Sequence, residues 1–293
     1  MTKNSEKIVV VAGATGHQGG AVARHLLDAG FAVRGLTRNT GTAAAAELSG
    51  LGAEMMKCDL DDAAAARRAL DGAWGAFGVF AVAAEGPQQE EKQSVMFAEQ
   101  ALAAGVQHYV YSSVASAQRN TGIPHFDNKW RVENAVRGMG FPSYTILRPA
   151  FFMDNFLGPW MWPGIAQGKL TMALKPTTKL QMIAVDDIGA YGLMAFLDFA
   201  QLNRAEIELA GDEMTMPEAA EIISGALNRK VTFEQQPIEQ VRKASEDMVT
   251  MYEWFDRVGL SVDIEELKKY YALQPATFSQ WAAMAKWPVP AHR

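Results

Sequence analysis

The beginning of the chain pairs a short apolar run with a helical repeat. Residues 8–12 read Ile-Val-Val-Val-Ala, a run without polar breaks that is typical of a parallel strand covered on both faces. The next segment predicts a helix over residues 16–29, because Val22 and Leu26 are four apart and Gly30 provides a stop. One strand and one helix thus form the first step of a longer pattern.

The same pattern repeats through the first half of the chain. Further apolar runs predict strands at residues 32–36, 53–57, 76–80, 106–112 and 143–147. Helical spacing predicts helices between them at residues 42–49, 61–70, 87–104 and 126–138. Regular alternation of this kind predicts an α/β fold with a Rossmann-type doubly wound parallel sheet.

The pattern loosens after residue 150, where aromatic residues and Met become frequent. Five aromatic residues lie close together: Phe151, Phe152, Phe156, Trp160 and Trp162. Residues 215–218 (Thr-Met-Pro-Glu) predict a capping box that begins a helix ending near Leu227, and residues 231–235 predict another strand. We therefore predict a first domain over residues 1–150 and a smaller C-terminal α/β region over residues 151–293, tightly packed on the first.

Charge and composition narrow the classes of partner. The 293 residues carry 33 acidic and 27 basic side chains, a formal net charge of −6, which attracts neither nucleic-acid phosphate nor anionic lipid. The single cysteine, Cys58, cannot form an intrachain disulfide, which indicates a reducing compartment. The polar N-terminus lacks a signal-peptide core, and the apolar stretch over residues 73–84 is shorter than the roughly 20 residues of a spanning helix. We expect a cytoplasmic protein that binds no membrane and no nucleic acid directly.

Other common chemistries lack their motifs in this sequence. None of the histidines has a metal-ligand spacing with the cysteine: His17, His25, His108, His125 and His292. A nucleophile elbow, a Walker loop and a Cys-x-x-Cys pair are also absent from the sequence. We expect no metal and no flavin.

A glycine-rich turn joins the first predicted strand to the first predicted helix. Residues 13–19 read Gly-Ala-Thr-Gly-His-Gln-Gly, and in this G-x-x-G-x-x-G spacing the glycines permit a tight turn, backbone approach to a pyrophosphate and close helix–strand contact. The helix start adds free N–H groups and a positive dipole end. We predict a dinucleotide site with these contacts: Gly13, Thr15, Gly16, His17, Gln18 and Gly19.

The end of the second predicted strand indicates which dinucleotide is bound. An NAD-binding protein usually has an acidic residue here for the adenosine ribose, but this chain has Thr37, Arg38 and Asn39, with no carboxylate before Glu47. Arg38 is suited to pair with a 2′-phosphate. We predict that NADP(H) is preferred over NAD(H); the alternative is that Arg38 is a surface arginine without a ligand.

Seven segments resemble a known family: residues 13–20, 37–39, 58–60, 111–113, 125–129, 147–152 and 185–189. In order and spacing they are similar to the NmrA-like family of atypical short-chain dehydrogenase/reductases, over nearly the whole chain. The family takes its name from a negative regulator. The resemblance implies a nicotinamide dinucleotide bound to the Rossmann domain and a substrate bound by the C-terminal region.

The resemblance also implies roles for individual residues. Asp59 and Leu60 are expected beside the adenine, and Lys129 at the hydroxyls of the nicotinamide ribose. The residues expected beside that ribose are Phe80, Ala81 and Val82. The residues expected near the nicotinamide are Pro149, Phe151 and Phe152, although core packing explains the two phenylalanines equally well.

One residue of the wider superfamily's catalytic pattern is missing. Active members use Tyr-x-x-x-Lys, in which the tyrosine transfers a proton, but none of the seven tyrosines here has a lysine four residues later. His125 occupies that position before Lys129, and Pro124 suits a first helical position, so both side chains should share one helix face. His125 is either a proton donor or a polar residue at a helix start. Either Ser113 or Val114 takes the usual serine position.

Two functions are compatible with these residues. The first is an NADPH-dependent, flavin-independent reductase that transfers hydride to small aromatic acceptors of the quinone, azo or conjugated carbonyl type, which need little acid catalysis. The aromatic and Met-rich segment after residue 150 suits such flat, apolar ligands. The second is a regulatory protein that senses NADP(H) and acts through a protein partner without turnover. The missing tyrosine favours the second function, and retention of Lys129 favours the first.

Overall fold

The computed structural model describes residues 4–81 and 86–288. The described chain forms two compact units. The first comprises the described residues up to Gln118, together with Pro124–Arg148 and Val185–Ile207. The second comprises Arg119–Ile123, Pro149–Ala184 and the described residues from Glu208 onward. Each unit is therefore built from separate stretches of the chain.

Strands and helices alternate regularly in the first half of the described chain. The strands are β1 (Ile8–Val11), β2 (Ala32–Thr37), β3 (Glu54–Lys57), β4 (Gly75–Gly78), β5 (His108–Ser112), β6 (Ser143–Pro149), β7 (Phe151–Phe152), β8 (Lys169–Met172), β9 (Lys179–Ile183), β10 (Ala205–Leu209), β11 (Asp212–Thr215) and β12 (Thr232–Gln235). The helices are α1 (His17–Asp28), α2 (Ala43–Gly50), α3 (Ala63–Ala69), α4 (Pro87–Ala103), α5 (Pro124–Met139), α6 (Trp162–Ile165), α7 (Val185–Leu197), α8 (Met216–Leu227), α9 (Ile238–Arg242), α10 (Glu246–Arg257), α11 (Ile264–Tyr271) and α12 (Phe278–Met284). Each strand and helix predicted before residue 150 is present, with bounds that shift by a few residues.

The central sheet has seven strands in the order β10-β6-β5-β4-β1-β2-β3. Strand β1 pairs in parallel with both β2 and β4, and parallel pairing continues to β3 on one side and to β5 and β6 on the other. The strand order reverses at β1, and sheets of this type bind ligands beyond the carboxyl ends of the strands at that point. The predicted Rossmann-type doubly wound α/β fold is confirmed.

One part of the core of the first unit lies between the sheet and the helices α3, α4 and α5. Val10, Ala76 and Tyr109 come from the strands, and Phe97 and Val132 come from the helices; all five are buried. The continuous apolar run of β1 and the burial of every residue of β5 follow from this arrangement, because a parallel strand with helices on both faces has no solvent-exposed side.

Helix α7 packs against α1 within the first unit. A Cβ on Gly189 would lie 2.5 Å from Cδ2 of His25, and one on Gly192 would lie 2.6 Å from Cγ2 of Val22. The two glycines therefore allow an approach that larger residues would prevent. An exposed contact of 3.0 Å between Nε2 of His25 and Oδ1 of Asp186 also joins the two helices.

This packing bears on the predicted division of the chain. A single boundary at residue 150 would leave Val185–Ile207 with the C-terminal region, whereas these residues are part of the first unit. The reason is the glycine-mediated contact between α7 and α1, which involves residues more than 150 positions apart and leaves no local signal in the pattern. The segment Pro149–Ala184 of the second unit does begin where the sequence pattern changes.

The second unit contains two small sheets and the remaining helices. Strand β9 lies between β11 and β7, and β12 pairs in parallel with β8. Helix α8 begins with the predicted capping box, in which Thr215 and Glu218 satisfy each other's backbone N–H groups. Among the described residues, no helix is long and apolar enough to span a bilayer.

Candidate functional site

The glycine turn between β1 and α1 has the geometry that its spacing predicts. Gly13 has a φ of +65°, which favours glycine, and a Cβ there would lie 3.1 Å from the carbonyl oxygen of Val79. A Cβ on Gly19 would lie 2.3 Å from the carbonyl oxygen of Gly13 and 3.0 Å from that of Ala12. The third glycine therefore permits close helix–strand contact, as its position in the motif predicts.

The start of α1 is open to an anionic ligand. Gly16 occupies the N-cap position, and no side chain caps the helix there. The first N–H groups of a helix have no partner within it and carry the positive end of the helix dipole. Gly16 and His17 are exposed, while Thr15 and Gln18 are half-buried. The turn therefore fits a diphosphate, which needs backbone donors and no obstructing Cβ.

Gln18 has a partner that the sequence did not indicate. The Ser112 hydroxyl, at the carboxyl end of β5, donates a 2.6 Å hydrogen bond to Oε1 of Gln18. This bond ties the first turn of α1 to the neighbouring strand end. The order of the strands, rather than any motif, brings the two residues together.

The carboxyl end of β2 carries the three residues expected to select the cofactor. The Thr37 hydroxyl lies 3.2 Å from the Thr15 hydroxyl and accepts a 3.3 Å bond from the Asn39 backbone N–H. Arg38 is exposed, and among the described residues no carboxylate pairs with it. Glu47, the next carboxylate in sequence, lies 3.6 Å from Arg24. The guanidinium of Arg38 is thus available at the turn that follows β2.

The residues expected beside the adenine and the second ribose lie after β3 and β4. Asp59 is exposed and accepts a 3.1 Å bond from the Asp61 N–H, and Leu60 packs against the core. Phe80 is buried and contacts Phe97 edge to face, with 5.7 Å between ring centroids. Ala81 is exposed, and Val82 lies outside the described residues. Their cofactor contacts stay predictions.

Lys129 of α5 lies at the carboxyl ends of two adjacent strands. Its ammonium donates to the carbonyl oxygens of Phe80, at 3.1 Å, and of Ser112, at 3.4 Å. The nitrogen is also 2.5 Å from Oε1 of Glu90 on α4, and 5.4 Å from the ring of Tyr111. The side chain is mostly buried. Its predicted bond to ribose hydroxyls requires exchange of one of these partners and stays a prediction.

Glu90 is the charged residue of this site that sequence reasoning missed. Only 2% of it is exposed, and no donor is aligned for a hydrogen bond to either carboxylate oxygen among the described residues. A signal was nevertheless present in the sequence. Glu90 lies on the helix face that also buries Ser94, Phe97 and Ala98, so a carboxylate interrupts an otherwise small and apolar face.

Ser113 follows directly on β5 and is buried. Its backbone N–H donates a 2.7 Å bond to the carbonyl oxygen of Leu147. Its hydroxyl oxygen has no partner among the described residues, whereas Val114 is half-buried. A buried hydroxyl without a partner is uncommon in folded proteins, and a catalytic role for Ser113 stays a prediction.

The tyrosines of the first unit are poorly placed to transfer protons. All of them are buried: Tyr109, Tyr111, Tyr144 and Tyr191. Burial raises the pKa of Tyr109 far above its usual value. Burial, reinforced by the negative charge of Glu90, likewise raises the pKa of Tyr111. Neither phenol is therefore suited to become a phenolate near neutral pH.

His125 is half-buried in the first turn of α5, which begins at Pro124 as expected. Its ring meets that of Phe126 edge to face, with 4.8 Å between centroids. His125 and Lys129 are four residues apart on this helix, so they lie on one face. The role of His125 as a proton donor stays a prediction.

The residues expected near the nicotinamide belong to the second unit. Pro149 is buried at the end of β6, and Phe151 and Phe152 are half-buried in β7. Phe151 meets Phe156 edge to face, and Phe156 in turn packs on Phe278. The aromatic segment thus supplies core packing in this unit, and a cofactor contact by Phe151 and Phe152 stays a prediction. Among the described residues, no cluster of histidine, cysteine or acidic side chains is arranged to hold a metal ion.

A comparison with known families identifies the class to which this fold and site belong. The model of the NmrA-like family matches residues 5–282. Because the match spans nearly the whole chain, the chain belongs to the NmrA-like family.

Several curated proteins are similar to this chain. The NmrA-like family domain-containing oxidoreductase hkm9 of Aspergillus hancockii is 29% identical over 92% of this chain and 83% of its own length. A (4-alkanoyl-5-oxo-2,5-dihydrofuran-3-yl)methyl phosphate reductase of Streptomyces griseus subsp. griseus is 30% identical over 81% of this chain and 80% of its own. The oxidoreductase himF of Aspergillus japonicus is 35% identical, but over 53% of this chain and only half, 50%, of its own length.

Solved structures share the fold. The negative transcriptional regulator NmrA, in complex with NADP, has a TM-score of 0.79 at 21% identity and covers 96% of this chain and 95% of its own. The Citrobacter sp. triphenylmethane reductase complexed with NADP(H) has a TM-score of 0.78 at 20% identity, with coverages of 95% and 100%. An NADPH-dependent quinone oxidoreductase of Escherichia coli has 0.78 at 22% identity, with coverages of 94% and 98%. At these identities the similarity shows the fold alone.

Proposed function

We propose that this chain is an NADPH-dependent, flavin-independent reductase that transfers hydride to small aromatic acceptors of the quinone, azo or conjugated carbonyl type. The observation that carries the proposal is the turn at the start of α1. Gly13 has a positive φ that favours glycine, Gly19 leaves no room for a Cβ, and the helix start has no side-chain cap. A diphosphate is the ligand that such a turn accommodates best.

The preference for NADP(H) rests on the end of β2. A 2′-phosphate carries about two negative charges near neutral pH and is well matched by an arginine guanidinium. Arg38 is exposed there, and the nearest carboxylate in sequence, Glu47, lies beside Arg24. An unphosphorylated ribose would gain nothing from Arg38 and would lack the usual acidic partner.

The class of acceptor follows from the proton donors that the site lacks. Bound NADPH supplies the hydride, and the acceptor also takes up one proton per hydride. Because Tyr109 and Tyr111 are buried with raised pKa values, an acceptor that needs strong acid catalysis is disfavoured. Quinones and azo compounds accept hydride without it, and His125 would supply the proton. Lys129 would hold positive charge beside the reacting end of the dinucleotide.

The named relatives support reduction as the reaction type. Those similar to this chain include NmrA-like oxidoreductases and a (4-alkanoyl-5-oxo-2,5-dihydrofuran-3-yl)methyl phosphate reductase. Proteins of the same fold include reductases of triphenylmethane dyes and of quinones. Both kinds of acceptor are conjugated, which agrees with the chemistry inferred from the proton donors.

The alternative is an NADP(H)-sensing regulatory protein that acts through a protein partner without turnover. One observation favours it: the ammonium of Lys129 already donates to the carbonyl oxygens of Phe80 and Ser112 and forms an ion pair with Glu90. A lysine held in this way stabilises the site whether or not hydride is transferred. The regulator NmrA also shares the fold.

The test is to mix the purified protein with NADPH and a panel of quinones and azo dyes, and to follow the absorbance of reduced nicotinamide. We expect NADPH oxidation that depends on the acceptor, and we expect its rate to fall about tenfold or more in Lys129→Met and about tenfold in His125→Gln. His25→Gln is the matched control, because His25 lies on α1 beside Asp186, and we expect its rate to equal that of the parent protein.

Other results of this assay would distinguish the reductase from the sensor. Tight NADPH binding with no oxidation in any acceptor would favour the sensor, particularly if NADPH and NADP⁺ bind with different affinities. Failure to bind either form would overturn both proposals. Equal rates in the parent protein and His125→Gln would exclude His125 as the proton donor while leaving the reductase in place.

A further inference from the structure

The buried carboxylate of Glu90 is a group that the proposed reaction does not use. It lies in the first turns of α4, with its oxygen 2.5 Å from the nitrogen of Lys129 on α5. The exposed fractions of the two side chains are 2% and 12%. The pair is therefore an ion pair largely removed from water, between two helices that are adjacent in the fold.

The surroundings of Lys129 show what the carboxylate contributes. An ammonium has three protons to donate, and the described residues offer this one two carbonyl oxygens, of Phe80 and Ser112, in addition to Glu90. Both carbonyls are at or just beyond the carboxyl ends of adjacent strands. Only Glu90 carries a full negative charge, so it dominates the electrostatic attraction that holds the ammonium between these strand ends.

The acidic residue at this position is explained by its partner Lys129 rather than by the packing of α4. Burial of a carboxylate is unfavourable unless it is both paired and hydrogen-bonded, and neither oxygen of Glu90 has an aligned donor among the described residues. An apolar residue would pack with Phe97 and Ala98 on the same helix face without that cost, but it would leave the largely buried ammonium of Lys129 without a charged partner. What an apolar residue cannot do is orient the ammonium of Lys129.

We propose that Glu90 is the positioning residue for Lys129: its carboxylate holds the ammonium at the ends of β4 and β5, and the pair determines how tightly the site binds the nicotinamide half of the dinucleotide. This inference rests on the proposed binding of NADP(H). According to this inference, Glu90 affects the binding affinity through Lys129, and the effect is confined to the nicotinamide half of the dinucleotide.

The test is a double-mutant cycle on the full chain, with affinities measured by titration calorimetry for two probes. NADPH carries the nicotinamide half, and adenosine 2′,5′-bisphosphate lacks it. We expect Glu90→Gln to weaken NADPH binding about tenfold, since loss of a charged partner is worth about that much, and to leave the bisphosphate affinity unchanged. In a Lys129→Met background the Glu90→Gln change should have no further effect on NADPH.

A matched control is the neighbouring acid. Glu91 is on the same helix, but it pairs with Arg131 near the surface, so Glu91→Gln should bind both probes as the parent protein does. The inference is overturned if Glu90→Gln binds NADPH within about twofold of the parent, or if its effect is the same with and without Lys129. Failure of the parent to bind NADPH at all would instead overturn the proposed function.

A general loss of structure is distinguishable from lost positioning. If Glu90→Gln weakens both probes equally, the decisive variant is Glu90→Asp, which keeps the negative charge on a shorter side chain. Recovery of NADPH affinity in Glu90→Asp, relative to Glu90→Gln, supports positioning by the carboxylate. The same NADPH affinity in both variants would overturn it.

Discussion

His108 makes the stability of the first unit depend on pH. The residue begins β5, and its ring is buried among Trp74, Phe196 and Phe199, with Nδ1 2.9 Å from the Ser143 hydroxyl. Burial, and to a lesser degree a nearby positive charge, lowers the pKa of His108 from 6.5 to about 4. The folded protein therefore holds this imidazole neutral under conditions in which an unfolded chain would protonate it.

The size of the effect follows from that difference in pKa. Because the folded pKa is the lower one, the full stability is present above pH 6.5 and is lost progressively as the pH falls towards 4. At pH 5 the unfolded imidazole is almost fully protonated and the folded one is mostly neutral. The resulting loss of unfolding free energy, relative to pH 8, is about 2 kcal/mol.

The assay is urea unfolding of the parent protein and of His108→Phe at both pH values. Phenylalanine keeps the ring contacts and does not titrate, and Ser143 keeps its 3.0 Å bond to the carbonyl oxygen of Phe199. Carboxylates titrate alike in both proteins, so the difference between them isolates His108. We expect the variant to lose about 2 kcal/mol less than the parent between pH 8 and pH 5. Parallel pH dependences would refute the reasoning.

Three further predictions concern the cofactor turn and the buried charges. In Gly19→Ala a Cβ would lie 2.3 Å from a backbone carbonyl oxygen, so calorimetry should show that the free energy of unfolding falls by about 1–3 kcal/mol and that NADPH binding is lost. Gly138→Ala, where a Cβ would meet nothing within 4 Å, should lower neither, because alanine is the better residue within a helix. Arg38→Ala should weaken NADPH binding about tenfold and leave NADH binding unchanged, and equal losses for both would contradict a 2′-phosphate contact. Glu133 is fully buried and accepts hydrogen bonds from Arg148 and Arg137. Because Arg148 keeps Glu206 as a charged partner, Glu133→Gln should lower the free energy of unfolding by about 1.5–3 kcal/mol; a loss under about 1 kcal/mol in urea unfolding would show that the ion pair is not needed.

Local signals in the sequence determined the main features of the first unit. The apolar run of β1 and the glycine spacing that follows it depend on interactions within a few residues, and strand, turn and helix form where these patterns predict. The capping box at Thr215 and the helix start at Pro124 are likewise local. Such features can be predicted from the sequence alone, because the atoms that stabilise them belong to neighbouring residues.

Contacts between residues that are distant in sequence could be identified only from the tertiary structure. The ion pair of Glu90 and Lys129 joins helices nearly 40 residues apart, and the return of α7 to α1 joins segments more than 150 residues apart. The burial of Tyr111, which removes it as a proton donor, depends in the same way on the helices that cover β5. The sequence by itself determined a Rossmann fold with a dinucleotide-binding turn. Only the packing of helices on the sheet decided which charges meet at its strand ends, because burial and charge pairing are properties of the assembled core.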